Sequence, residues 1–186
     1  MILLVGLGNP TPDSQENRHN IGFKIIDAIN QKFGLSKQKP KFKGLLTTGN
    51  ISNEKVYAIK PLTFMNNSGI CIRELIEYFK INIEDVIIFH DDLDIDFGKI
   101  KAKFGGSNAG HNGIASIDKF IGKDYSRVRV GIGKPEKKVK TSDYVLNNFN
   151  EEEKIQLEKI ILNIINSIPI LIDKKLDLFS STVNNK

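Results

Sequence analysis

The chain has 186 residues, of which 40% are hydrophobic and 26% are charged, so it predicts one folded domain and excludes disordered and collagen-like proteins. Its single cysteine, Cys71, cannot form an internal disulfide. No basic leader precedes the apolar residues 2–5, and no apolar run reaches about 18 residues, so we expect a cytoplasmic protein that does not enter the membrane. The net charge of +5 is compatible with a nucleic-acid partner but does not require one.

The first part of the chain alternates strand and helix patterns. The apolar run 2–7 predicts a buried strand that leads into a tight glycine-containing loop, and residues 21–33 have apolar positions at helical spacing. The runs 45–49 and 56–59 predict a hairpin whose second strand is ended by a proline. Residues 68–80 predict a second amphipathic helix.

The middle of the chain carries a buried strand and a basic one. Residues 86–89 form an uninterrupted apolar run, closed by the polar sequence His90-Asp91-Asp92, which is typical of a central strand. Residues 99–104 alternate between apolar and lysine positions, which predicts a strand with a basic outer face. A glycine-rich segment, 105–113, follows it.

The last part predicts a short helix around 114–121, a strand around 127–132 that alternates apolar residues with arginines, and a lysine-rich loop at 134–140. A capped amphipathic helix is expected over about 151–173, and the tail 180–186 is expected to fray. Because no repeat or linker divides the chain, we predict a single α/β domain over 1–186, with a mixed β-sheet flanked by helices.

Two familiar site patterns are incomplete, and the single cysteine does not suggest a nucleophile. A dinucleotide fingerprint beginning at Gly6 needs glycine where Thr11 stands. A calcium loop beginning at Asp92 needs glycine and glutamate where Phe97 and Lys103 stand. Cys71 lies beside core positions of a helix, so the sequence favours a protein without metal, cofactor or covalent nucleophile.

Polar residues in loops are the candidates for chemistry. His19 lies immediately before a helix, where the positive end of the helix dipole favours a neutral imidazole that can act as a base. Capping of the helix or solvation at the surface is the simpler interpretation of a histidine at this position. Asp91 and the amides of Asn9, Asn66 and Asn112 follow predicted strands or lie in tight loops. Singly such an asparagine is most often a turn residue, but a sheet parallel at its centre would bring these loops to one edge.

Several motifs, in order along residues 1–146, resemble the bacterial peptidyl-tRNA hydrolase family. They are Gly6-Leu7-Gly8-Asn9-Pro10, Arg18-His19-Asn20, Thr63-Phe64-Met65-Asn66-Asn67-Ser68-Gly69, His90-Asp91-Asp92-Leu93-Asp94, the glycine-rich segment ending in Gly110-His111-Asn112-Gly113, and Arg129-Val130-Gly131-Ile132-Gly133. The C-terminal helix is only generically similar.

The resemblance implies hydrolysis of the ester between a peptide and the 3′ end of tRNA, which recycles tRNA from prematurely released peptidyl-tRNA. His19 takes the position of the general base that activates water, and Asp91 that of the carboxylate which orients it. Asn9 takes the position that senses a blocked amino group. Substrate contacts are implied for Asn66, Asn112 and Phe64, of which Phe64 could instead be a core residue.

The resemblance also implies that Lys103 and Arg129 contact tRNA phosphates, which give affinity without base specificity. The chain departs from the family pattern at Thr11, Ser14, Asn17 and Ala115. At Ser14 the family usually has a tyrosine, so only a hydroxyl contact to tRNA remains there. A monomer without an obligate protein partner is implied. The alternatives are a non-catalytic tRNA-binding relative and a small-ester hydrolase on the same scaffold.

Overall fold

The computed structural model of the chain describes residues 1–185, which form one seven-stranded mixed sheet with helices on both faces. This is the α/β class that the sequence predicts. The strands are β1 (Ile2–Gly6), β2 (Lys39–Lys41), β3 (Gly44–Ile51), β4 (Glu54–Pro61), β5 (Val86–Asp92), β6 (Ile100–Phe104) and β7 (Ser126–Gly131). The helices are α1 (Ile21–Phe33), α2 (Ser68–Phe79), α3 (Asn112–Ile121), α4 (Thr141–Leu146), α5 (Glu151–Asn166), α6 (Ile168–Ile172) and α7 (Leu176–Asn184).

The strand order β2-β3-β4-β1-β5-β7-β6 places four parallel strands, β4, β1, β5 and β7, at the centre of the sheet. The outer strands pair antiparallel. Parallel neighbours end at the same edge, so the loops that follow β1, β4 and β5 emerge side by side. The expectation that the polar loops converge is therefore met by the topology.

The core has two halves, one on each face of the sheet, and β1 contributes to both. Leu3 and Val5 pack with the apolar faces of α2 and α3, whereas Ile2 and Leu4 pack with those of α1 and α5. This alternation is the two-residue period of a strand. Cover on both faces is what a sheet with a parallel centre requires.

Two short elements escape the sequence prediction. Strand β2 has three exposed residues, one of them Pro40, and carries no apolar pattern. Helix α4 follows the lysine-rich loop directly and buries only Val145. No helix within the described residues is long and apolar enough to cross a lipid bilayer.

The prediction of one continuous helix over 151–173 is wrong. Helix α5 ends at Asn166, and α6 begins at Ile168 with Pro169 in its first turn. Proline has no N–H to donate to the preceding turn, so the first helix cannot continue through it.

The prediction that 180–186 frays is contradicted by α7, although the last residue of that range lies outside the described part of the chain. The Asn184 side chain accepts a hydrogen bond from the Ile100 amide at 2.9 Å and donates to the Ile100 carbonyl at 2.8 Å. Ser180 accepts from the Ala102 amide at 2.8 Å. These bonds cover the free edge of β6, which would otherwise expose unpaired backbone groups.

Candidate active site

His19 is buried in a single 3₁₀ turn, Arg18–Asn20, between the loop after β1 and the start of α1. The turn reaches the edge of the sheet because Gly6 and Gly22 face each other without side chains. A Cβ on Gly6 would overlap the Gly22 carbonyl, and a Cβ on Gly22 would overlap the Leu7 amide and the Phe89 carbonyl. The glycine pair therefore holds His19 above the ends of β1 and β5.

Asp91 lies at the end of β5 and is the centre of a hydrogen-bonded triad. Its carboxylate is 2.8 and 2.9 Å from His19 Nδ1 and 2.8 Å from His111 Nε2. Burial alone would raise the pKa of this carboxyl, but the two imidazoles outweigh burial and hold the pKa of Asp91 well below its usual range. Asp91 is therefore ionised, and it brings together two histidines that are far apart in the sequence.

The tautomer of each histidine follows from its partners. His111 caps α3, and its Nδ1 accepts from the amides of Gly113 at 3.1 Å and Ile114 at 3.3 Å. Its proton is therefore on Nε2, where it is donated to Asp91. Ionised Asp91 likewise requires the proton of His19 on Nδ1, which leaves the lone pair on His19 Nε2. Within residues 1–185 that nitrogen has no hydrogen-bond partner, so it can take a proton.

His19, Asp91 and His111 also place potential metal-ligand atoms within 4.8 Å of one another. The donor set does not fit a metal ion. His111 Nδ1 is occupied by the two amides of α3, so binding a metal through Nε2 would require either an imidazolate or loss of the helix cap. The chemistry of the donors favours a base held by a carboxylate.

Two cavities meet at His19, and Asn112, Ser142 and Val145 line both of them. The first, of about 310 Å³, extends along Asp92 and Asp94, and we refer to it as the acidic-side cavity. The second, of about 300 Å³, is lined by Asn9, Phe64, Met65, Asn66 and Leu146, and we refer to it as the amide-side cavity. A substrate whose reacting atom lies at His19 can therefore extend in two directions.

Asn9 is held rigidly in the wall of the amide-side cavity. The Asn20 side chain accepts from the Asn9 amide and donates to the Asn9 carbonyl, both at 2.9 Å. The Asn9 side-chain oxygen accepts from the Met65 amide at 2.9 Å, which fixes the orientation of the carboxamide. Its NH₂ group, two donors without an acceptor among the described residues, remains for a ligand.

Phe64 belongs to this cavity and not to the core. Its side chain is 52% exposed, and its backbone has φ 63°, a left-handed value that is rare for an aromatic residue. Such strain is tolerated where the surroundings fix it, and here it presents a ring at the mouth of the cleft.

Arg18, which the sequence identifies only as part of a motif, positions one wall of the site. Its guanidinium donates to the Asn147 carbonyl at 3.3 Å and the Asn148 carbonyl at 3.0 Å, and it pairs with Glu153 at 3.0 Å. It also lies 4.2 Å from the centre of the Tyr144 ring. The neighbour of His19 in sequence thus fixes α4, which supplies one wall of both cavities. No spacing signal reveals these contacts, because the partners are more than a hundred residues away.

Ser14 lies apart from the cleft. It is buried in a 3₁₀ turn, and its hydroxyl is 2.7 Å from that of Thr11. It lines neither of the two cavities that meet at His19, so the structure does not bring it together with the triad.

The basic strands differ in part from the expectation. Lys103 is exposed on β6, and Arg129 on β7 is partly exposed and pairs with Asp92 at 2.8 Å. Arg127, an arginine of the strand predicted around 127–132, is buried and donates to two carbonyls of the glycine-rich segment, that of Ser107 at 2.7 Å and that of Gly105. Arg127 therefore shapes the loop before α3 and does not face solvent.

His90 is buried beside the triad without belonging to the cleft. Its Nδ1 donates to the Asp91 carbonyl at 2.8 Å, and its Nε2 has no partner within the described residues. Burial, assisted by nearby His111, lowers the pKa of His90 to about 3. His90 is thus a neutral support for the triad.

Comparison with known proteins gives one consistent result. A family model described as peptidyl-tRNA hydrolase matches residues 3–186. The chain is 80% identical, over the whole of both chains, to a peptidyl-tRNA hydrolase of Pelagibacter ubique. It is 45% identical to one of Ehrlichia canis over 98% of this chain and 94% of the relative. The crystal structure of peptidyl-tRNA hydrolase from Acinetobacter baumannii superposes with a TM-score of 0.92 at 34% identity, covering 99% of this chain and 94% of that one.

Proposed function

Because this chain belongs to the peptidyl-tRNA hydrolase family, and is therefore an ester hydrolase that acts on peptidyl-tRNA, we propose that His19 is the general base of its reaction. The observation that carries this assignment is the hydrogen bond from His19 Nδ1 to ionised Asp91, which leaves a basic nitrogen at the junction of the two cavities. General-base catalysis of this kind contributes roughly 10²–10⁴-fold.

In this mechanism His19 Nε2 removes a proton from a water molecule as its oxygen attacks the ester carbonyl. Asp91 stabilises the imidazolium that forms, at 2.8 Å from Nδ1. When the tetrahedral intermediate collapses, His19 returns the proton to the 3′ oxygen of the ribose. The products are a peptide with a free carboxylate and a free tRNA, and no covalent intermediate forms on the protein.

Asn9 supplies the selection for a blocked amino group. Its NH₂ donates a hydrogen bond to the acyl oxygen that an N-blocked substrate carries. The ammonium of an unblocked aminoacyl-tRNA offers only donors at that position, so it would lose hydration without gaining an acceptor. This proposal accounts for cleavage of N-blocked peptidyl-tRNA and sparing of aminoacyl-tRNA.

The remaining cleft residues bind the parts of the substrate next to the ester. The amides of Asn66 and Asn112 contact the peptide or the 3′ end, and the exposed Phe64 ring stacks on the terminal adenine. Lys103 and Arg129, on the adjacent strands β6 and β7, contact tRNA phosphates. The internal bond of Ser14 to Thr11 weakens any role for it in tRNA binding.

We further propose that the enzyme acts in the cytoplasm as a monomer, without metal, cofactor or obligate protein partner. Two features support this: one chain supplies the triad, both cavities and Asn9, and His111 has no free lone pair for a metal. Peptidyl-tRNA, the substrate of this family, is produced by translation in the cytoplasm.

The test compares wild type with His19→Ala on N-acetyl-lysyl-tRNA. Turnover of the variant should fall at least roughly 10²-fold, since no other group lining the junction of the cavities is placed to take the proton of the water. Binding of deacylated tRNA should stay near that of wild type, because the proposed contacts to tRNA phosphates and to the terminal adenine come from other residues, and a melting curve establishes that the variant is folded. Turnover at the wild-type rate would remove His19 from the mechanism.

A further inference from the structure

A third cavity, of about 380 Å³, adjoins the amide-side cavity through Asn9, which lines both. Its other walls come from the loop after β1, from α1 and from strands β3 and β4, and we refer to it as the α1 cavity. Its volume is within the range of small-ligand sites. His19 and Asp91, which are assigned to the hydrolytic step, do not line it, and neither does His111.

Lys60 is an unusual wall residue because its side chain is only 11% exposed. Its ammonium donates to Asp27 at 2.6 Å, and it lies 5.6 Å from the centre of the Phe23 ring. An ammonium has three N–H donors, and within residues 1–185 this one uses only one of them, in the hydrogen bond to Asp27. The half-exposed Asp27 carboxylate also accepts from Gln38 at 2.7 Å. A buried cation with unused donors thus borders an open cavity.

The charges of the α1 cavity cancel. Lys60 pairs with Asp27, and Lys24 pairs with Glu16 at 2.8 Å. A site with no net charge offers little to the polyanionic backbone of tRNA, whose binding requires an excess of positive charge. Paired donors and acceptors beside apolar Phe23, Leu45 and Leu62 suit a neutral chain of amide groups with apolar side chains.

We propose that the α1 cavity binds the part of the nascent peptide that lies beyond the acyl group contacted by Asn9. The inference rests on the proposed function, in which the ester lies at His19 and the first amide at Asn9. An extended peptide advances about 3.3–3.6 Å per residue, so the second and third residues from the ester reach past Asn9 into this cavity. Lys60 donates there to a peptide carbonyl.

The experiment uses one tRNA carrying either N-acetyl-lysine or N-acetyl-leucyl-leucyl-lysine. The first substrate ends at Asn9 and the second continues into the α1 cavity. The wild-type kcat/KM should be about tenfold higher for the longer peptide, the equivalent of one hydrogen bond to a charged group. In Lys60→Met this advantage should be lost, whereas in Lys55→Met, at an exposed position on the same strand, it should remain.

A second pair of variants protects the test against misfolding of Lys60→Met. Thr11 is exposed and lines the cavity, so Thr11→Trp should block it and abolish the advantage of the longer peptide. Asp13→Trp, exposed in the same turn but outside the cavity wall, should not. Melting temperatures establish that each variant is folded.

The outcomes separate the possibilities. Equal kcat/KM for both substrates in wild type, or an advantage that persists in Lys60→Met and Thr11→Trp, would overturn the peptide assignment. Weaker binding of deacylated tRNA to Lys60→Met would also overturn it and give the cavity to tRNA. Failure of wild type to cleave N-acetyl-lysyl-tRNA would reject the proposed function itself, a result distinguishable from the others.

Discussion

Replacement of Asp91 by asparagine is expected to inactivate His19 by changing its tautomer. Asparagine has nearly the same shape as aspartate, but one of its two polar atoms is a donor. His111 must keep its proton on Nε2, because its Nδ1 accepts from the amides of α3. The oxygen of the introduced carboxamide then accepts from His111 and its NH₂ faces His19, which moves the proton of His19 to Nε2 and removes the base.

The size of the effect follows from the bonds that change. Asp91→Asn replaces a charge-assisted hydrogen bond to His19 Nδ1 of 2.8 Å, worth about 1.5–3 kcal/mol, and it also removes the basic lone pair from the cleft. Together these losses raise the barrier by about 4–5 kcal/mol, equivalent to roughly 10³–10⁴ in kcat. Asp91→Ala should be less severe, since alanine leaves the tautomer of His19 free, although the ring is then less well oriented.

The assay is release of tRNA from N-acetyl-lysyl-tRNA under single-turnover conditions. A hydrogen-bonded Nδ1–H of His19 should also be visible by NMR in wild type and absent in Asp91→Asn. Circular dichroism and binding of deacylated tRNA serve as controls for folding. Retention of activity within about tenfold of wild type, or a larger loss in Asp91→Ala than in Asp91→Asn, would refute the tautomer argument.

Three further predictions follow from the same geometry. Asn9→Asp replaces the donor group by a carboxylate that attracts an ammonium, so the kcat/KM for the blocked substrate should fall by roughly 10–100-fold. The ratio of this kcat/KM to that for unblocked lysyl-tRNA should also decrease, and an unchanged ratio would contradict the prediction. Burial lowers the pKa of His90 from 6.5 to about 3, so His90 takes up a proton in the unfolded chain before it does so in the folded one as the pH falls. The free energy of unfolding should therefore decrease as the pH falls from 6.5 to about 3, by roughly 1 kcal/mol per pH unit. Urea titrations should show a shallower decrease in His90→Gln, and an equal slope would reject this origin. Arg18→Lys cannot reproduce the bonds that fix α4 and should cost about 2–4 kcal/mol of stability and lower turnover, whereas the exposed control Arg73→Lys should be neutral in both measurements.

The strands and longer helices could be predicted because their apolar residues recur at the spacing of a strand or a helix, and the fold buries those residues. The run before His90 became β5, and the spacing after Ile21 became α1. The break in the C-terminal helix was visible as Pro169 but was outweighed by the apolar pattern around it. Helix α7 depends on side chains that bond to β6, a contact between distant segments that no local pattern reports.

The residues of the candidate site could be predicted from the sequence, but the hydrogen bonds that join them could not. His19 and Asp91 were identified by resemblance, whereas the position of His111 on the same carboxylate follows from the parallel order of the sheet and the cap of α3. The buried state of Arg127 was missed because alternation along β7 does not distinguish solvent from a covering loop. Such features depend on tertiary structure.

The central claim is that His19 activates water at an ester whose blocked amino group is read by Asn9. Its most direct test is the rate at which the wild-type chain and His19→Ala release tRNA from N-acetyl-lysyl-tRNA and from unblocked lysyl-tRNA. The account predicts rapid cleavage of the blocked substrate alone by the wild-type chain, and loss of that cleavage in His19→Ala. Equal cleavage of both substrates by the wild-type chain, or cleavage that persists in His19→Ala, would contradict it.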